Sequence, residues 1–255
     1  MNIYNNMEEV KLINEIPPNS IINADCLEAM KYIKDKSIDA IICDLPYQMV
    51  KCEWDSLIPF DKLWEQYKRI IKDNGAIVLT GTQPFTSALV SSNLKMFKYC
   101  WVWNKNRGSN YLQAKRQPLK YHEDICVFYK KQCTYNPQKT KGKPYKKTVR
   151  SNNREESTYH KDTRDIGYTY GSNERYPKSI ISINTSIGKN TLHPTEKPVA
   201  LMEYLIKTYT NENELILDNA AGSGTLGVAA KNTNRNYILI EKEKDYFDII
   251  NNRLK

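Results

Sequence analysis

Short apolar runs that end in turn residues alternate with amphipathic segments along most of the chain, and this alternation constrains the fold more than any other feature. The apolar runs predict buried strands at 37–43, 76–80, 97–103, 125–129, 214–217 and 237–240. The amphipathic segments predict helices at 60–72, 198–209 and 225–232, the first of them ending at Asp73-Asn74-Gly75, and a charged helix after 240. Strands that alternate with helices are typical of an open α/β sheet flanked by helices.

A glycine-rich turn, Asp218 to Thr225 (DNAAGSGT), lies between a predicted strand and a predicted helix. Its glycines let backbone amides at a helix N-terminus approach a ligand without obstruction by side chains. Glu241 ends the next predicted strand, where an acid can accept hydrogen bonds from a ribose diol. By itself this pattern leaves NAD, FAD, S-adenosylmethionine and a purely structural turn open.

The tetrad Asp44-Leu45-Pro46-Tyr47 directly follows the first buried strand, where ligand sites collect in α/β sheets. Methyl transfer to an exocyclic amine needs acceptors for the amine hydrogens, because the nitrogen lone pair is delocalised into the ring. The carboxylate of Asp44 and the main-chain carbonyl of Leu45 can each accept one N–H. Pro46 restricts the backbone, and Tyr47 offers a ring against which a flipped base can stack. This chemistry needs no metal, although the same residues could also form a plain turn.

The net charge of +9 is concentrated in one stretch of the chain. Between Lys130 and Lys178, thirteen basic residues outnumber five acidic ones, and six tyrosines are interleaved with them. A solvated loop has this composition, and so does a surface that contacts phosphates and stacks bases. Composition alone leaves both interpretations open.

Several classes of protein are disfavoured by features that the sequence lacks. The six cysteines are widely spaced and form no C-x-x-C pair, so we expect reduced thiols rather than a zinc site or a disulfide framework. No apolar run approaches the roughly 18–20 residues that cross a bilayer, and the first residues do not resemble a secretory signal.

Four motifs, taken in their order, resemble the beta group of amino-methylating, S-adenosylmethionine-dependent DNA methyltransferases of bacteria and phages. The tetrad is similar to the family's D/N/S-P-P-Y motif, with Leu45 in place of the first proline. Asp218 to Thr225 is similar to D-P-F-A-G-S-G-T, with Asn219 in place of proline. His193 to Pro198 matches H-P-T-x-K-P, and Asn23 to Glu28 resembles the family's N-terminal cofactor segment. A long variable segment separates the tetrad from the other two C-terminal motifs, as in the beta arrangement.

The resemblance implies a Rossmann-like class I methyltransferase fold, with a mixed, mainly parallel seven-stranded sheet flanked by helices. It also implies three regions: an N-terminal catalytic part at 1–129, an inserted basic target-recognition segment at 130–190, and a C-terminal cofactor-binding part of the same domain at 191–255. The implied catalytic residues are Asp44, Leu45, Pro46 and Tyr47.

S-adenosylmethionine is the implied cofactor. The resemblance assigns its binding to Asp25, Cys26, Asp44, Thr195, Lys197, Asp218, Asn219, Ala220, Gly222, Ser223, Gly224, Thr225 and Glu241. Among these, Asp25 and Cys26 are expected to face the adenine ring, and Glu241 is expected to hold the ribose. Thr195 and Lys197 are expected to meet the amino-acid end.

DNA is the implied partner. Its expected contacts are Arg107, Lys115, Arg116, Lys143, Lys146 and Lys147. We further expect a homodimer, a restriction endonuclease as a possible partner, no membrane association, and a cytoplasmic location in a bacterial or phage-infected cell.

The predicted reaction is site-specific methylation of adenine N6 in a flipped-out base, because Asp at the head of the tetrad is commoner in adenine enzymes of the family. N4 methylation of cytosine is the alternative. Carbon-5 methylation is disfavoured because it needs a cysteine nucleophile, usually in a Pro-Cys pair, and none of the eleven prolines precedes a cysteine. A catalytically dead DNA-binding homologue and an enzyme acting on RNA or protein amides are alternatives of other classes.

Overall fold

The computed structural model describes residues 1–47, 57–143, 173–185 and 196–255. The strands in these ranges are β1 (Asn2–Tyr4), β2 (Ser20–Asn23), β3 (Ile38–Cys43), β4 (Ile71–Gly81), β5 (Phe97–Ser109), β6 (Lys120–Phe128), β7 (Thr140–Lys141), β8 (Glu174–Arg175), β9 (Ile180–Ser182), β10 (Leu215–Asp218) and β11 (Asn236–Glu241). The helices are α1 (Met7–Lys11), α2 (Cys26–Met30), α3 (Phe60–Ile70), α4 (Phe85–Ser92), α5 (Val199–Tyr209), α6 (Thr225–Asn232) and α7 (Lys244–Leu254), with a 3-10 helix at Tyr111–Gln113.

Nine of the described strands form one mixed sheet in the order β1-β2-β11-β10-β3-β4-β6-β5-β9. All neighbours from β1 to β4 are parallel, and β6 is antiparallel to both β4 and β5. The expected mainly parallel α/β sheet is confirmed. Seven strands form its continuous middle, from β2 to β5. The short strands β1 and β9 extend it at the two edges by parallel pairing with β2 and β5.

The central strands are buried on both faces, and β3 shows how this follows from the sequence. Successive side chains of a strand point to opposite faces of the sheet. Accordingly, Ile41 and Cys43 join the core cluster that includes residues of α1 to α4, whereas Ala40 and Ile42 join the cluster that includes residues of α5 to α7. A nearly continuous apolar run therefore supplies both layers of the core.

The predicted end of the helix beginning at Phe60 is wrong, because α3 stops at Ile70 rather than at Lys72. Ile71 is already extended (φ −70°, ψ 138°), is buried, and pairs with Ile38 at the start of β4. The pairing register then shifts, so that the expected turn at 73–75 is an irregularity within β4. Burial of Ile71 on the sheet outweighs the helical periodicity. The strands β1 and β2 and the helices α1, α2 and α4 were not predicted.

Contacts divide the chain into two compact units, Met1–Asn136 with Ser179–Lys255, and Pro137–Lys178. The second unit is narrower than the segment predicted at 130–190. The reason is that the Asn136 amide bonds to the Thr208 carbonyl at 2.7 Å and β9 pairs with β5, which assigns both flanks to the first unit. The described part of the second unit is the antiparallel pair β7–β8. None of the helices in the described ranges is both long and apolar enough to span a membrane.

Candidate functional site

The predicted site residues converge because several parallel strands end at one edge of the sheet. Asp44 follows β3, Asp218 ends β10 and Glu241 ends β11, and these strands lie close together in the sheet order. A cavity of about 870 Å³ opens there, and its lining includes all three carboxylates and Tyr47. Chain segments far apart in sequence thus form one site at the carboxyl edge of the sheet, as the rule for open α/β folds predicts.

The carboxylate of Asp44 is fixed by three side chains. Its Oδ1 accepts hydrogen bonds from the hydroxyl of Tyr47, at 2.5 Å, and from the hydroxyl of Thr80. Its Oδ2 lies 2.5 Å from Nζ of Lys197. Leu45 is 4% exposed and packs into the core, which anchors the tetrad to the sheet. The tetrad is therefore held at both its backbone and its acidic head.

Lys197 links the tetrad to a second acid that the sequence did not point to. Its ammonium group is buried and lies 3.3 Å from Glu123 on β6, while Glu123 also pairs with Lys105 at 3.0 Å. Burial alone would lower the pKa of Lys197, but the charges of Asp44 and Glu123 outweigh it and raise that pKa above its ordinary value. Lys197 therefore stays charged.

The same ion pair determines the charge of Asp44. Burial would raise the pKa of this carboxyl, but the Lys197 charge and the hydrogen bonds from Lys197, Thr80 and Tyr47 outweigh burial and hold the pKa below its ordinary value. Burial and the nearby charge of Asp44 raise the pKa of the Tyr47 phenol well above its ordinary value. At neutral pH the tetrad thus presents a carboxylate and a protonated phenol.

The glycine loop takes a backbone conformation that favours glycine at two positions. Gly222 has φ +52°, and Gly224, which precedes α6, has φ +78°. A Cβ added at Gly222 would meet no atom within 4 Å, whereas one at Gly224 would lie 3.0 Å from Ile250. Gly222 therefore faces open space where a ligand can approach the backbone, and Gly224 allows close packing against α7.

The beginning of the glycine loop is buried and strongly hydrogen-bonded. Oδ1 of Asn219, the residue that replaces proline, accepts a 2.5 Å hydrogen bond from the buried hydroxyl of Tyr67. The backbone amide of Ala220 donates to Asp218 at 3.2 Å. Burial, aided by the negative charges of Asp44 and Glu241, raises the pKa of Asp218 to about 7.

Glu241 lies where a ribose-binding acid is expected. One of its oxygens accepts the Gly222 amide at 2.7 Å, and the other accepts the Glu243 amide at 2.9 Å. A carboxylate oxygen has two lone pairs, so each oxygen can still accept a ribose hydroxyl. Together with the open face of Gly222 and the surrounding acids, this arrangement fits a cationic nucleoside such as S-adenosylmethionine.

Asp25 and Cys26, the expected adenine-facing pair, also line the cavity. Asp25 caps α2, since its carboxylate accepts the Leu27 amide at 2.9 Å. Cys26 is buried, which raises the pKa of its thiol to about 11. Each residue thus has a structural contact as well as a place at the cavity wall.

A network at the cavity wall joins two of the motifs and was not predicted. Glu196, from the H-P-T-E-K-P segment, accepts a hydrogen bond from Thr225 at 3.1 Å and pairs with Arg253 of α7 at 2.7 Å. Arg253 also donates to the Ser223 carbonyl at 3.1 Å. Nothing in the sequence marks Arg253, whereas Thr80 could have been found as the end of a strand adjacent to β3.

The expected DNA contacts have different locations. Arg107 lines the cavity, and Lys115 and Arg116 are exposed on the loop between β5 and β6. Lys143 is exposed in the second unit. Thr195, Lys146 and Lys147 lie outside the described residues.

A doubly covered sheet with a glycine loop, an acid at the end of the next strand and an acidic tetrad at one edge is typical of the class of S-adenosylmethionine-dependent methyltransferases. Comparison with known proteins narrows the class. The family model for N6/N4 DNA methylases matches residues 38–252, and the chain belongs to this family.

Two curated relatives are similar over most of their length. The type II methyltransferase M.HpaI of Haemophilus parainfluenzae is 27% identical over 92% of this chain and 73% of its own. The type II methyltransferase M1.MboII of Moraxella bovis is 28% identical over 91% of this chain and 95% of its own.

Solved structures agree with this assignment. The M1.HpyAVI–SAM complex has a TM-score of 0.62 at 27% identity and matches 92% of this chain and 98% of its own. The cytosine-N4-specific PvuII DNA methyltransferase, at 16% identity and a TM-score of 0.66 over 94% of this chain and 88% of its own, shares the fold. The chain is thus an S-adenosylmethionine-dependent DNA amino-methyltransferase.

Proposed function

We propose that this enzyme methylates the exocyclic N6 of adenine, in a base extruded from a specific DNA site into the cavity beside Tyr47. The observation that carries the proposal is the environment of Asp44. This carboxylate stays ionised through its ion pair with Lys197, yet lies in the same cavity as the glycine loop. A fixed anion beside the cofactor-binding wall is what activation of an amine requires.

Counting lone pairs shows what Asp44 can still accept. A carboxylate offers about four acceptor positions, and Tyr47, Thr80 and Lys197 occupy three of them. One position on Oδ2 is left for an amine N–H, and the Leu45 carbonyl is the proposed acceptor for the other. Because the pKa of Asp44 is lowered, it suits the role of hydrogen-bond acceptor better than that of a strong base.

Accepting both N–H groups withdraws the amine from conjugation with the ring and favours a tetrahedral, nucleophilic nitrogen. The cofactor supplies an electrophilic methyl group on a sulfonium centre. When bound, the cofactor would leave as a neutral thioether that keeps the electron pair of its methyl–sulfur bond, and the methylated, cationic nitrogen would release one N–H proton to water. Asp44 holds the amine in line through these changes, and Tyr47 holds the base.

For cofactor binding we propose the residues named from the motifs, led by Asp218, Gly222 and Glu241. Lys197 was assigned to the amino-acid end of the cofactor, and that role stays a prediction. Its contact with Asp44 gives it a second task, which is to keep the catalytic acid charged.

Hydrolysed DNA from cells expressing the chain tests the choice of base. We expect N6-methyladenine by mass spectrometry, and its loss with Asp44→Ala. N4-methylcytosine without N6-methyladenine would establish the alternative, because both amines donate two N–H groups that this acceptor pair can bind. Wild-type protein that binds DNA and methylates neither base would indicate a catalytically dead homologue. Equal labelling of RNA would contradict a DNA-specific site.

We also propose that the basic segment at 130–190 reads the target site, that the enzyme acts as a homodimer, and that a restriction endonuclease is its partner. The support is the +8 excess between Lys130 and Lys178 and the type II names of the relatives. Modified-base sequencing of host DNA gives the recognised site, and sedimentation gives the oligomeric state.

A further inference from the structure

The tip of the β5–β6 hairpin projects from the rim of the cavity. Asn110 and Gln117, on the two sides of the tip, both line the cavity. Between them, Tyr111 and Leu112 are 53% and 99% exposed. The tip is a 3-10 turn closed by its own backbone, since the amides of Gln113 and Gln117 donate to the carbonyls of Asn110 and Gln113, each at 3.0 Å. Two apolar side chains are therefore presented on a compact turn at the cavity mouth.

The arms of the hairpin are closely packed below this tip. Gly108 is buried against the ring of Tyr121, so that a Cβ added at Gly108 would lie 2.7 Å from the ring. Ser109 pairs with Lys120 across the two strands. This contact fixes the position of the tip relative to the cavity.

Exposure alone does not single out Leu112, because Leu12 and Leu94 are also exposed, at 85% and 67%. The charges of the neighbouring residues distinguish Leu112 from these two leucines. No acidic residue occurs from Asn104 to His122, and the basic residues of that segment are Lys105, Arg107, Lys115, Arg116 and Lys120. An apolar tip flanked by cations complements a duplex, whose phosphates surround an apolar base stack.

Extrusion of a base leaves a gap in the stack, and the enzyme must compensate for the lost pairing and stacking. Apolar side chains that enter a base step are a general solution to this problem. We infer that Tyr111 and Leu112 enter the duplex beside the target base and fill the space it leaves, while the exposed basic residues Lys115 and Arg116 contact the flanking phosphates. This inference rests on the proposed extrusion of the target base.

The test compares two DNA substrates that carry the recognised site found by modified-base sequencing. One is a matched duplex, and the other has an abasic site opposite the target base, so that the base is already unpaired. For Tyr111→Ala/Leu112→Ala we expect kcat/KM to fall about tenfold or more on the matched duplex and by no more than about twofold on the abasic one. Leu12→Ala is the matched control and should leave both values unchanged.

Two comparisons separate this role from others. Lys115→Ala/Arg116→Ala should lower kcat/KM by the same factor on both duplexes, because phosphate contacts do not depend on whether the target base is paired. Equal losses on both duplexes for the tip variant, or no loss at all, would overturn the inference. Thermal unfolding should be unchanged in the tip variant, since both side chains are exposed.

Fluorescence of a base analogue at the target position distinguishes failure of the inference from failure of the proposed function. We expect the signal to rise when wild-type enzyme binds the matched duplex and to rise less with the tip variant. No rise with the wild type would contradict extrusion itself. An equal rise with both proteins would overturn only the role of the tip.

Discussion

Asp44 follows β3, Asp218 ends the neighbouring parallel strand β10, and both line the same cavity, yet their environments are opposite. Asp44 pairs with Lys197, and its pKa is held below the ordinary value. Asp218 accepts a backbone amide, faces the charges of Asp44 and Glu241, and has a pKa raised to about 7 by burial. Similar positions in the sheet thus produce one permanent anion and one that titrates near neutrality.

The difference teaches how one edge of a sheet can serve two tasks. A permanent carboxylate suits the role proposed for the tetrad, which is to accept N–H groups in every turnover. A carboxylate that titrates near neutrality suits the cofactor wall, because an approaching sulfonium cation favours its ionised form. The pKa values of Asp44 and Asp218 differ because Lys197 pairs with Asp44, and not because the two residues lie on different strands. Substitutions at Asp44 and Lys197 act on one side of this comparison, and substitution of Asp218 acts on the other.

Removal of Asp44 should have the largest effect. Asp44→Ala deletes the proposed amine acceptor, and we expect the single-turnover rate of methyl transfer to fall about 10²–10⁴-fold. Cofactor binding, measured by calorimetry, should persist because the glycine loop is intact. A transfer rate near that of the wild type would show that the acceptor lies elsewhere.

Lys197→Met should have the second-largest effect: we expect the single-turnover rate of methyl transfer to fall about tenfold at neutral pH. Without the cation, burial is no longer outweighed, so the pKa of Asp44 rises and the acidic limb of the pH–rate profile moves to higher pH. The profile of single-turnover rates between pH 5 and 9 checks this. Lys105→Met, which removes a cation paired with Glu123 rather than with Asp44, is the comparison and should move the limb less. An unmoved limb in Lys197→Met would contradict the role of the ion pair.

Asp218→Asn should affect cofactor affinity in a pH-dependent way. At pH 8 the wild-type carboxylate is ionised, so its loss should weaken cofactor binding about tenfold. Towards pH 6 the wild type becomes protonated, and the difference should narrow. Calorimetric titration at both pH values measures it. A constant difference would mean that Asp218 does not titrate in this range.

Although Asp218→Asn should weaken cofactor binding, it should raise the free energy of unfolding. Because the folded-state pKa of Asp218 is raised above 3.8, its favourable contribution is present below that value and is lost as the pH rises through about 7. The variant should therefore gain up to about 4 kcal/mol in free energy of unfolding at pH 8, relative to the wild type, and little near pH 4. Urea unfolding at both pH values checks the sign.

Substitutions in the basic segment should leave both carboxylates unaffected. Lys143→Ala/Lys146→Ala/Lys147→Ala should weaken DNA binding a few-fold at moderate salt and reduce the salt slope by at most about three. Cofactor affinity and the pH profile should match the wild type. Loss of cofactor affinity with DNA binding intact would overturn the assignment of this segment to DNA.

The sequence was sufficient to predict those features that depend on residues close together in the chain. Helix α6 begins at Thr225 and ends at Asn232, as predicted, because a glycine turn and an apolar periodicity define it locally. The tetrad was predicted from a signal of the same kind, an apolar strand followed by an acid and a proline. The strand is present as β3, and the catalytic role of the tetrad stays a prediction. Ile71 marks the limit, because its burial on the sheet overrode the helical pattern.

By itself, then, the sequence determined the class of fold, the order of the motifs and the identity of the polar groups, because backbone conformation and burial pattern are encoded over a few residues. Only the tertiary structure decided which charges meet. Lys197 is 153 residues from Asp44, and Glu123 comes from an antiparallel strand without a motif, yet the three side chains form one partly buried network. Electrostatic interactions depend on distance in space and on burial, and neither can be read from separation along the chain.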